Sequence, residues 1–579
     1  MIPYKNNPFS NIINNISSFK IRGLSIEQMT ITPVNECIVD FGDGTKQTYP
    51  GNNKATGIKH TYNSDDEYVI QVIGNHSALV APRNAIYCYQ LSDTIINCTS
   101  MFVYRTDLEE IPITFKLPKK TIKASQMFFN CNISGLMLSE LPESLTDATL
   151  MFANDSNAII PITKLPSSLL YASNMFEGCR NAQISLSTLP SGLLSASHMF
   201  FNCNNADLNF SNLPENLVHC DNMFAGCYKS IFSSLSCLPP NLSSAVGMFN
   251  QCGGELSLSS LPDTLVNGNS MFHTCVDAKI TLNKLPDSLK NCNSMFTNCK
   301  KSTIFLDAFP SGLTTANYMC QDGADFEYTG TDLPSTLSSA NGMFINYRKS
   351  LLLSSLPDNL INANSMFSNC ISAELPLSSL PSSLINCSTM FNNCKVAQLQ
   401  LSSLPPNIKT CHNMFTNCAN AKLQLNELPD QLSNAGYMFD GCINSELLLS
   451  SLPSTLINAR AMFRNCKQSS LSLSTLPNDI ISAGYMFQYC SGSTLPINNL
   501  PDLLIDADRM FDGCSNAIFD ITELVNNAPE SGWVNLTNIS HMFNGCSKIT
   551  GSKSAFLSKC PSGITGIDTA FNNCPLLTD

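Results

Sequence analysis

The residues of this chain that could carry chemistry are its 26 cysteines and seven histidines. Paired cysteines would indicate disulfides or zinc, and a cysteine or serine beside a histidine would indicate nucleophilic catalysis. However, no Cys-x-x-Cys pair occurs, and the histidines fall at variable positions. The Gly-x-Ser-x-Gly, His-Glu-x-x-His, phosphate-loop and EF-hand motifs are also absent from the sequence. The chain is therefore predicted to be non-enzymatic, with no cofactor and no metal.

One acidic cluster is a candidate site for a partner or a cation. Near Met319, Cys320 and Gly323 replace the Phe and Cys that neighbouring repeats carry. Phe326 and Tyr328 then stand where alanine and leucine are expected. Two interpretations stay open: compensated drift within one repeat, or a partner-binding patch. The patch would consist of Asp322, Asp325, Glu327 and Asp332.

The spacing of the cysteines disfavours a disulfide framework. Equivalent cysteines in stacked repeats would have Cβ atoms about 4.8 Å apart, whereas a disulfide requires about 3.8 Å. Other residue types also occupy the position, namely Arg105, Asp155, Gly323 and Tyr347. The sequence therefore predicts buried, free thiols and assembly in a reducing compartment.

These residues belong to a repeated phrase in which Met-Phe is followed by Cys, a Leu-x-Leu run and Leu-Pro. From Met127 to Met510 the phrase recurs every 23, 24 or 25 residues. Such a period indicates a solenoid, in which each coil buries its apolar residues against its neighbours. The apolar core is predicted to include Met175, Phe176, Cys179, Met414, Phe415, Cys418, Leu423 and Leu425.

The order of residues within one repeat predicts its local structure. Leu423 and Leu425 lie two apart, as in a short strand with one buried side, and Pro429 should end that strand. Apolar residues at steps of three and one then predict a 3₁₀ or irregular helical return over residues 432–439. The predicted fold class is mainly β, a leucine-rich-repeat solenoid of about 20 coils of about 24 residues.

The repeats resemble the BspA-like leucine-rich repeats of bacterial surface proteins, in the subgroup with Met-Phe-x-x-Cys. The run from Asn535 to Cys546, which includes Met542-Phe543, is closest to that subgroup, and the resemblance covers roughly residues 98–579. It implies a leucine-rich-repeat scaffold, whereas ligands vary among proteins that share such a scaffold.

The N-terminal region departs from the repeat. An Asp-Gly turn at Phe41-Gly42-Asp43-Gly44, then His60-Thr61-Tyr62 and an alternating strand from Glu67, resemble a polycystic-kidney-disease-type (PKD-like) β-sandwich. Asp40 and Asp43 are interpreted as Asx-type turn residues rather than a calcium site. The predicted organisation is a leader over 1–19, the β-domain over 20–76, a bridge over 77–100, regular coils over 101–514, and irregular repeats with a cap over 515–579.

Charge and surface polarity limit the class of partner. The net charge is −12 and only 13% of residues are charged, so a basic stripe for nucleic acid is not expected. Uncharged polar residues cover the outward side of the predicted strands, which suits a glycan or a solubilising surface equally. Examples are Gln183, Ser185, Ser187, Gln398, Gln400 and Ser402.

Location and function are inferred together. The first 19 residues show no secretory-signal pattern, and no apolar run is long enough for membrane insertion. The sequence therefore predicts a phage virion component, such as a tail or head fibre, joined to its assembly through the N-terminus by a protein partner. It would bind a host receptor or glycan. The alternatives are a virion decoration that acts only as a spacer, and a bacterial cell-surface adhesin.

Overall fold

The structure of the chain is a computed structural model. It describes residues 15–579 except 27, 106–114, 132–137, 157–159, 181, 183, 231, 254–255, 257, 279 and 324. The chain divides into two compact units, Met1–Thr281 and Leu282–Asp579.

The first unit begins with a β-domain of eight strands in two antiparallel sheets. One sheet has the order β4-β3-β6-β1-β8 and the other β5-β2-β7. The strands are β1 (Ile16–Arg22), β2 (Met29–Pro33), β3 (Cys37–Asp40), β4 (Lys46–Tyr49), β5 (Thr56–Ile58), β6 (Glu67–Ile73), β7 (His76–Val80) and β8 (Ala85–Gln90).

The β-domain extends beyond the predicted range of 20–76 at both ends. Strand β1 pairs with both β6 and β8, so residues 16–19 of the predicted leader and 85–90 of the predicted bridge belong to the sheet. The rest of the leader, residues 1–14, lies outside the described residues. Asp40 and Asp43 form Asx-type turns, accepting hydrogen bonds from the N–H groups of Gly42 at 3.1 Å and Thr45 at 2.9 Å. The PKD-like assignment stays a prediction.

Successive repeats stack in parallel within each unit. In the first unit, Tyr171 forms parallel bridges with Asp147 and Ser195, one repeat away on either side. In the second unit, Asn434 is bridged to the equivalent residues of its two neighbours in the same way. Each repeat thereby satisfies the backbone groups of the next, as stacked parallel strands do.

The Met-Phe segment extends this stacking through turns. The Phe176 N–H donates to the Met199 carbonyl of the next coil at 2.9 Å, while the Met175 N–H donates within its own coil to Ala172 at 3.1 Å. Successive N–H groups along the segment thus donate in turn to a carbonyl of the next coil and to a carbonyl of their own coil. The segment forms a hydrogen-bonded ladder although it is not a strand.

The predicted return over residues 432–439 is not helical: these residues form a β-bridge at Asn434 and turns, in agreement with the irregular form of the prediction. The reason is a left-handed residue at two positions of each coil from that of Met101 to that of Met542, immediately before the Met position and immediately before the Cys position. In the coil of Met414 these are Asn413, with φ of 55°, and Asn417, with φ of 58°. Left-handed residues interrupt a right-handed helix, and Asn and Gly tolerate them best.

The Leu-x-Leu segment is a regular strand in few coils. These strands are β9 (Ser185–Leu186), β10 (Asp207–Leu208), β11 (Thr281–Leu282), β12 (Thr303–Leu306) and β13 (Asp325–Tyr328). In the coil of Leu423 and Leu425, both leucines are buried, but the segment is not a strand. Its hydrogen bonds run one way, from the N–H groups of Lys422 and Gln424 to carbonyls of the preceding coil, whereas a parallel ladder exchanges them in both directions.

The C-terminal residues continue the stacking and add short helices. Phe543 stacks between Phe511 and Phe571, with ring centroids 5.7 Å apart on either side. The added elements are α1 (Ile521–Asn526), β14 (Gly551–Ser552), α2 (Lys553–Leu557), α3 (Ile567–Ala570) and β15 (Leu577–Thr578). These three helices are the only ones in the part of the chain that the structure describes, which confirms the mainly-β class with few helices.

Candidate recognition surface

The predicted core residues fix the position of every surface side chain in the coils. The rings of Phe391 and Phe415 are stacked, with centroids 5.7 Å apart. The Cys418 thiol donates to the Phe391 carbonyl of the preceding coil at 2.8 Å. Met175, Phe176 and Cys179 lie in the same positions of their own coil, where the Cys179 thiol donates to Phe152 at 3.0 Å.

The thiol contact explains why cysteine occupies this position, which sequence reasoning predicted only to carry a buried, free thiol. The Phe391 carbonyl also accepts the Cys394 N–H at 3.0 Å, so the Cys418 thiol occupies its second lone pair. Burial raises the pKa of the Cys418 thiol well above its usual range and keeps it protonated as a donor. All 26 cysteines are free thiols.

One side of the coils carries a ladder of asparagine side chains, hereafter the asparagine ladder: Asn346, Asn369, Asn393 and Asn417. Asn369 Nδ2 donates to Asn346 Oδ1 at 3.1 Å, Asn393 to Asn369 at 2.9 Å, and Asn417 to Asn393 at 2.8 Å. Each asparagine is the left-handed residue before the Cys position. The ladder ends where Gly441 follows Asn417. The side-chain amides of the asparagine ladder therefore form hydrogen bonds between neighbouring coils.

On the outward surface of the Leu-x-Leu segments, three residues have unbonded polar groups, whereas Gln424 on the same surface donates to Glu446 at 3.4 Å. Gln398, Gln400 and Lys422 are exposed, and their side chains make no hydrogen bond or ion pair within the described part of the chain. They line a groove of about 400 Å³ together with Glu374, Val396, Leu399, Asn420 and Asn444. We call this the polar groove.

The other outward polar residues named from the sequence do not line the polar groove. Ser185 is exposed on β9, and Ser187 lines a second groove of about 380 Å³. Ser402 is exposed beside the polar groove without lining it. Gln183 lies outside the described residues.

The described residues of the predicted acidic patch have different surroundings, and the patch itself stays a prediction. Asp322 accepts a hydrogen bond from Asn346 Nδ2 at 2.7 Å and so begins the asparagine ladder. Glu327 lies on β13, and Asp332 follows that strand, where its backbone carbonyl accepts the Tyr328 hydroxyl. The side chain of Asp325 is outside the described part of the structure. Among the described residues, no group of three or more His, Cys, Asp or Glu could hold a metal ion.

The irregular coil around Met319 is densely repacked. Tyr347, in the next coil's Cys position, is fully buried, and its hydroxyl accepts the Tyr328 N–H at 3.0 Å. The Tyr328 ring stacks on Phe309, with centroids 4.5 Å apart. These rings occupy the volume that Cys320 leaves where other coils carry phenylalanine. A groove of about 620 Å³ beside Asp322 is lined by Asn298, Lys300, Asp322, Gly323, Asn346 and Arg348.

Comparisons with known proteins give limited matches. A family model described as "Mycoplasma protein of unknown function, DUF285" matches residues 357–428. No curated protein matches the chain significantly. A solved leucine-rich cell surface protein from Faecalibacterium prausnitzii A2-165 is similar at 14% identity and a TM-score of 0.32, covering 63% of this chain and 90% of that chain.

Two further solved structures are similar to a lower degree. The TLR13–ssRNA13 complex matches at 14% identity with a TM-score of 0.20, covering 79% of this chain and 72% of that chain. PEPR1–AtPEP1 matches at 13% identity with a TM-score of 0.23, covering 87% of this chain and 93% of that chain. The hydrogen bonds of this chain itself show the stacking of its coils. No helix among the described residues has the length and apolarity needed to cross a membrane.

Proposed function

We propose that this protein is a non-enzymatic recognition protein that binds glycan through the polar groove. The observation that carries the proposal is the unbonded state of Gln398, Gln400 and Lys422, beside an asparagine ladder whose members are bonded to one another. Amide and ammonium groups that are fixed by a rigid scaffold supply donors and acceptors for sugar hydroxyls. Because they are already exposed, their loss does not affect the core.

The groove lies on stacked coils, which suits a repeating ligand. Gln398 and Lys422 occupy the same position of adjacent coils, about 4.8 Å apart for parallel stacked segments. Each sugar contact in water adds little free energy, since protein–water hydrogen bonds are exchanged for protein–sugar ones. Binding would therefore gain strength from several sugars engaging neighbouring coils at once.

The setting that we propose is a surface that meets a host, on a phage virion with a bacterial cell surface as the alternative. The N-terminus, through the predicted leader over residues 1–19, would join the protein to a partner in its assembly. Identifying the chain by mass spectrometry in purified virions would support the virion setting. Release of the chain from intact cells by protease would support the cell surface instead.

A glycan array probed with the full chain tests recognition. Wild-type protein should bind a defined subset of glycans, and the triple variant Gln398→Ala, Gln400→Ala and Lys422→Ala should lose that binding. A matched control changes Ser470, Ser472 and Ser474, the outward residues of another coil's Leu-x-Leu segment, to Ala and should bind normally. Absence of binding by a folded wild type would favour the spacer function, and binding by the triple variant would exclude the groove.

A further inference from the structure

One edge of the second unit carries three exposed cations, here called the basic row: Lys300, Arg348 and Lys395. Each directly follows the Cys position of its coil, and successive members lie two coils apart. Parallel stacked segments are spaced by about 4.8 Å, so the charges recur about every 10 Å. Within the described part of the chain, none of the three charged groups makes an ion pair or a hydrogen bond.

The coils that carry the first two cations stack directly through an intervening coil. The Asn298 N–H donates to the Gln321 carbonyl of that coil at 3.0 Å, and the Asp322 N–H donates to the Ile345 carbonyl of the following one at 3.2 Å. These bonds lie immediately before the basic-row positions of the chain. The spacing of the row is therefore fixed by backbone hydrogen bonds rather than by flexible loops.

The coil between Lys300 and Arg348 is shorter at this edge. Strand β12 begins four residues after the Cys position of its coil, whereas β13 begins two residues after Gly323, although the two strands pair in register. The intervening coil therefore has two residues fewer at the edge than its neighbour. The result is the groove of about 620 Å³ that Lys300 and Arg348 line from either side.

Two polar side chains in this groove suit a sugar between the cations. The Asn298 side chain makes no hydrogen bond with a described residue. Asp322 accepts a hydrogen bond from Asn346 at Oδ1, at 2.7 Å, and its Oδ2 has no donor among the described residues. A carboxylate between two cations repels a continuous run of negative charge but accepts hydrogen bonds from hydroxyl groups. The groove therefore favours a ligand whose charges alternate with neutral, hydroxyl-bearing units.

The second interval of the basic row also has an uncharged centre. Ile371 occupies the row position between Arg348 and Lys395 and is 55% exposed. An apolar side chain gains from contact with the C–H surface of a sugar ring, because that contact removes both from water. Val396 directly follows Lys395 and lines the polar groove. The basic row is thus adjacent to the proposed glycan site.

We propose, on the basis of the glycan-binding function proposed above, that the ligand is a linear acidic polysaccharide with one carboxylate in each disaccharide. Its carboxylates pair with the three cations, and its neutral sugars lie at the coils of Asp322 and Ile371. A sugar in an extended chain is about as long as one coil spacing, which matches the two-coil period of the charges. Exposed ion pairs are individually weak, so affinity depends on several pairs that form at once.

Isothermal titration calorimetry of the full chain with decasaccharides of hyaluronan and unsulfated chondroitin tests the ligand class. Both carry one carboxylate in each disaccharide. Wild type should bind at least one of them, and carboxyl reduction of that sugar should weaken binding by about tenfold or more. The triple variant Lys300→Gln, Arg348→Gln and Lys395→Gln should show the same loss for the native sugar.

A matched control removes three exposed lysines from the edge that precedes Leu-Pro, through Lys116→Gln, Lys164→Gln and Lys284→Gln. It has the same net charge as the row variant and should bind like wild type. Equal loss in both variants would overturn the proposal, since the attraction would then be nonspecific. Tighter binding of single-stranded DNA than of either decasaccharide would also overturn it.

The glycan array separates failure of this proposal from failure of the proposed function. If wild type binds only neutral glycans, and the Gln398, Gln400 and Lys422 triple variant loses them, the polar groove is a recognition site and the acidic ligand is excluded. If wild type binds no glycan in either experiment, both proposals are overturned. Binding of the acidic decasaccharides that depends on the basic row supports both.

Discussion

The asparagine ladder and the polar groove are two polar surfaces of the same coils, and their side chains have different uses. Asn393 belongs to the coil that also carries Gln398 and Gln400. Its amide both donates and accepts hydrogen bonds between coils, whereas the two glutamine side chains have no partner within the described chain. The presence of an Asn or Gln side chain therefore does not by itself distinguish structural residues from candidate binding residues. The hydrogen-bond partners of each side chain make that distinction.

A single apolar core lies beneath both surfaces. Phe391 stacks between Phe367 and Phe415, at centroid distances of 5.6 and 5.7 Å, and is fully buried. We expect Phe391→Ala to lower the free energy of unfolding by about 3–5 kcal/mol, through lost burial and the cavity left behind. Urea denaturation followed by circular dichroism measures this effect. A loss no larger than that of a surface variant would mean that the stack does not support the coils.

We expect the second-largest loss of stability from removing the hydrogen bond between the Cys418 thiol and the Phe391 carbonyl. Cys418→Ala should destabilise by about 1–3 kcal/mol, since the donor to the Phe391 carbonyl is lost inside the core. Cys418→Ser restores a donor and should recover part of that loss. The same denaturation measurement compares the two variants. Equal stability of both would show that volume, rather than the hydrogen bond, selects cysteine.

The side-chain hydrogen bonds of the asparagine ladder can be tested separately from the left-handed backbone conformation at the same positions. Asn393→Ala should cost about 1–2 kcal/mol, because alanine disfavours the left-handed backbone and breaks two amide hydrogen bonds. Asn393→Gly keeps the backbone conformation and should cost less, as Gly441 occupies this position naturally. If both variants were as stable as wild type, the ladder would be an exposed network without structural effect.

The repeat period predicted the core well, because burial of Met, Phe, Cys and Leu leaves a regular pattern in the sequence. The turn conformation was missed although its signal was present, since Asn or Gly commonly precedes the repeat cysteine. Asn369, Asn393 and Gly441 are examples. A pattern of apolar residues reports burial but not the sign of φ, which is why a helical return was predicted.

The candidate sites depend on contacts between coils, which residue identity alone does not reveal. Asp322 was grouped with the acidic patch, yet the structure places it at the start of the asparagine ladder. The outward glutamines were recognised, but not the groove that they share with Lys422 and Asn444.

The central claim is that one surface of a coil stabilises the stack while the other is available for binding. It is tested most directly by measuring the unfolding free energies of two double variants by urea denaturation. Asn369→Ala with Asn393→Ala should lower stability by about 2 kcal/mol. Gln398→Ala with Gln400→Ala should stay within about 0.5 kcal/mol of wild type, as expected for unbonded surface residues. Equal losses, or a larger loss for the glutamine pair, would contradict the account.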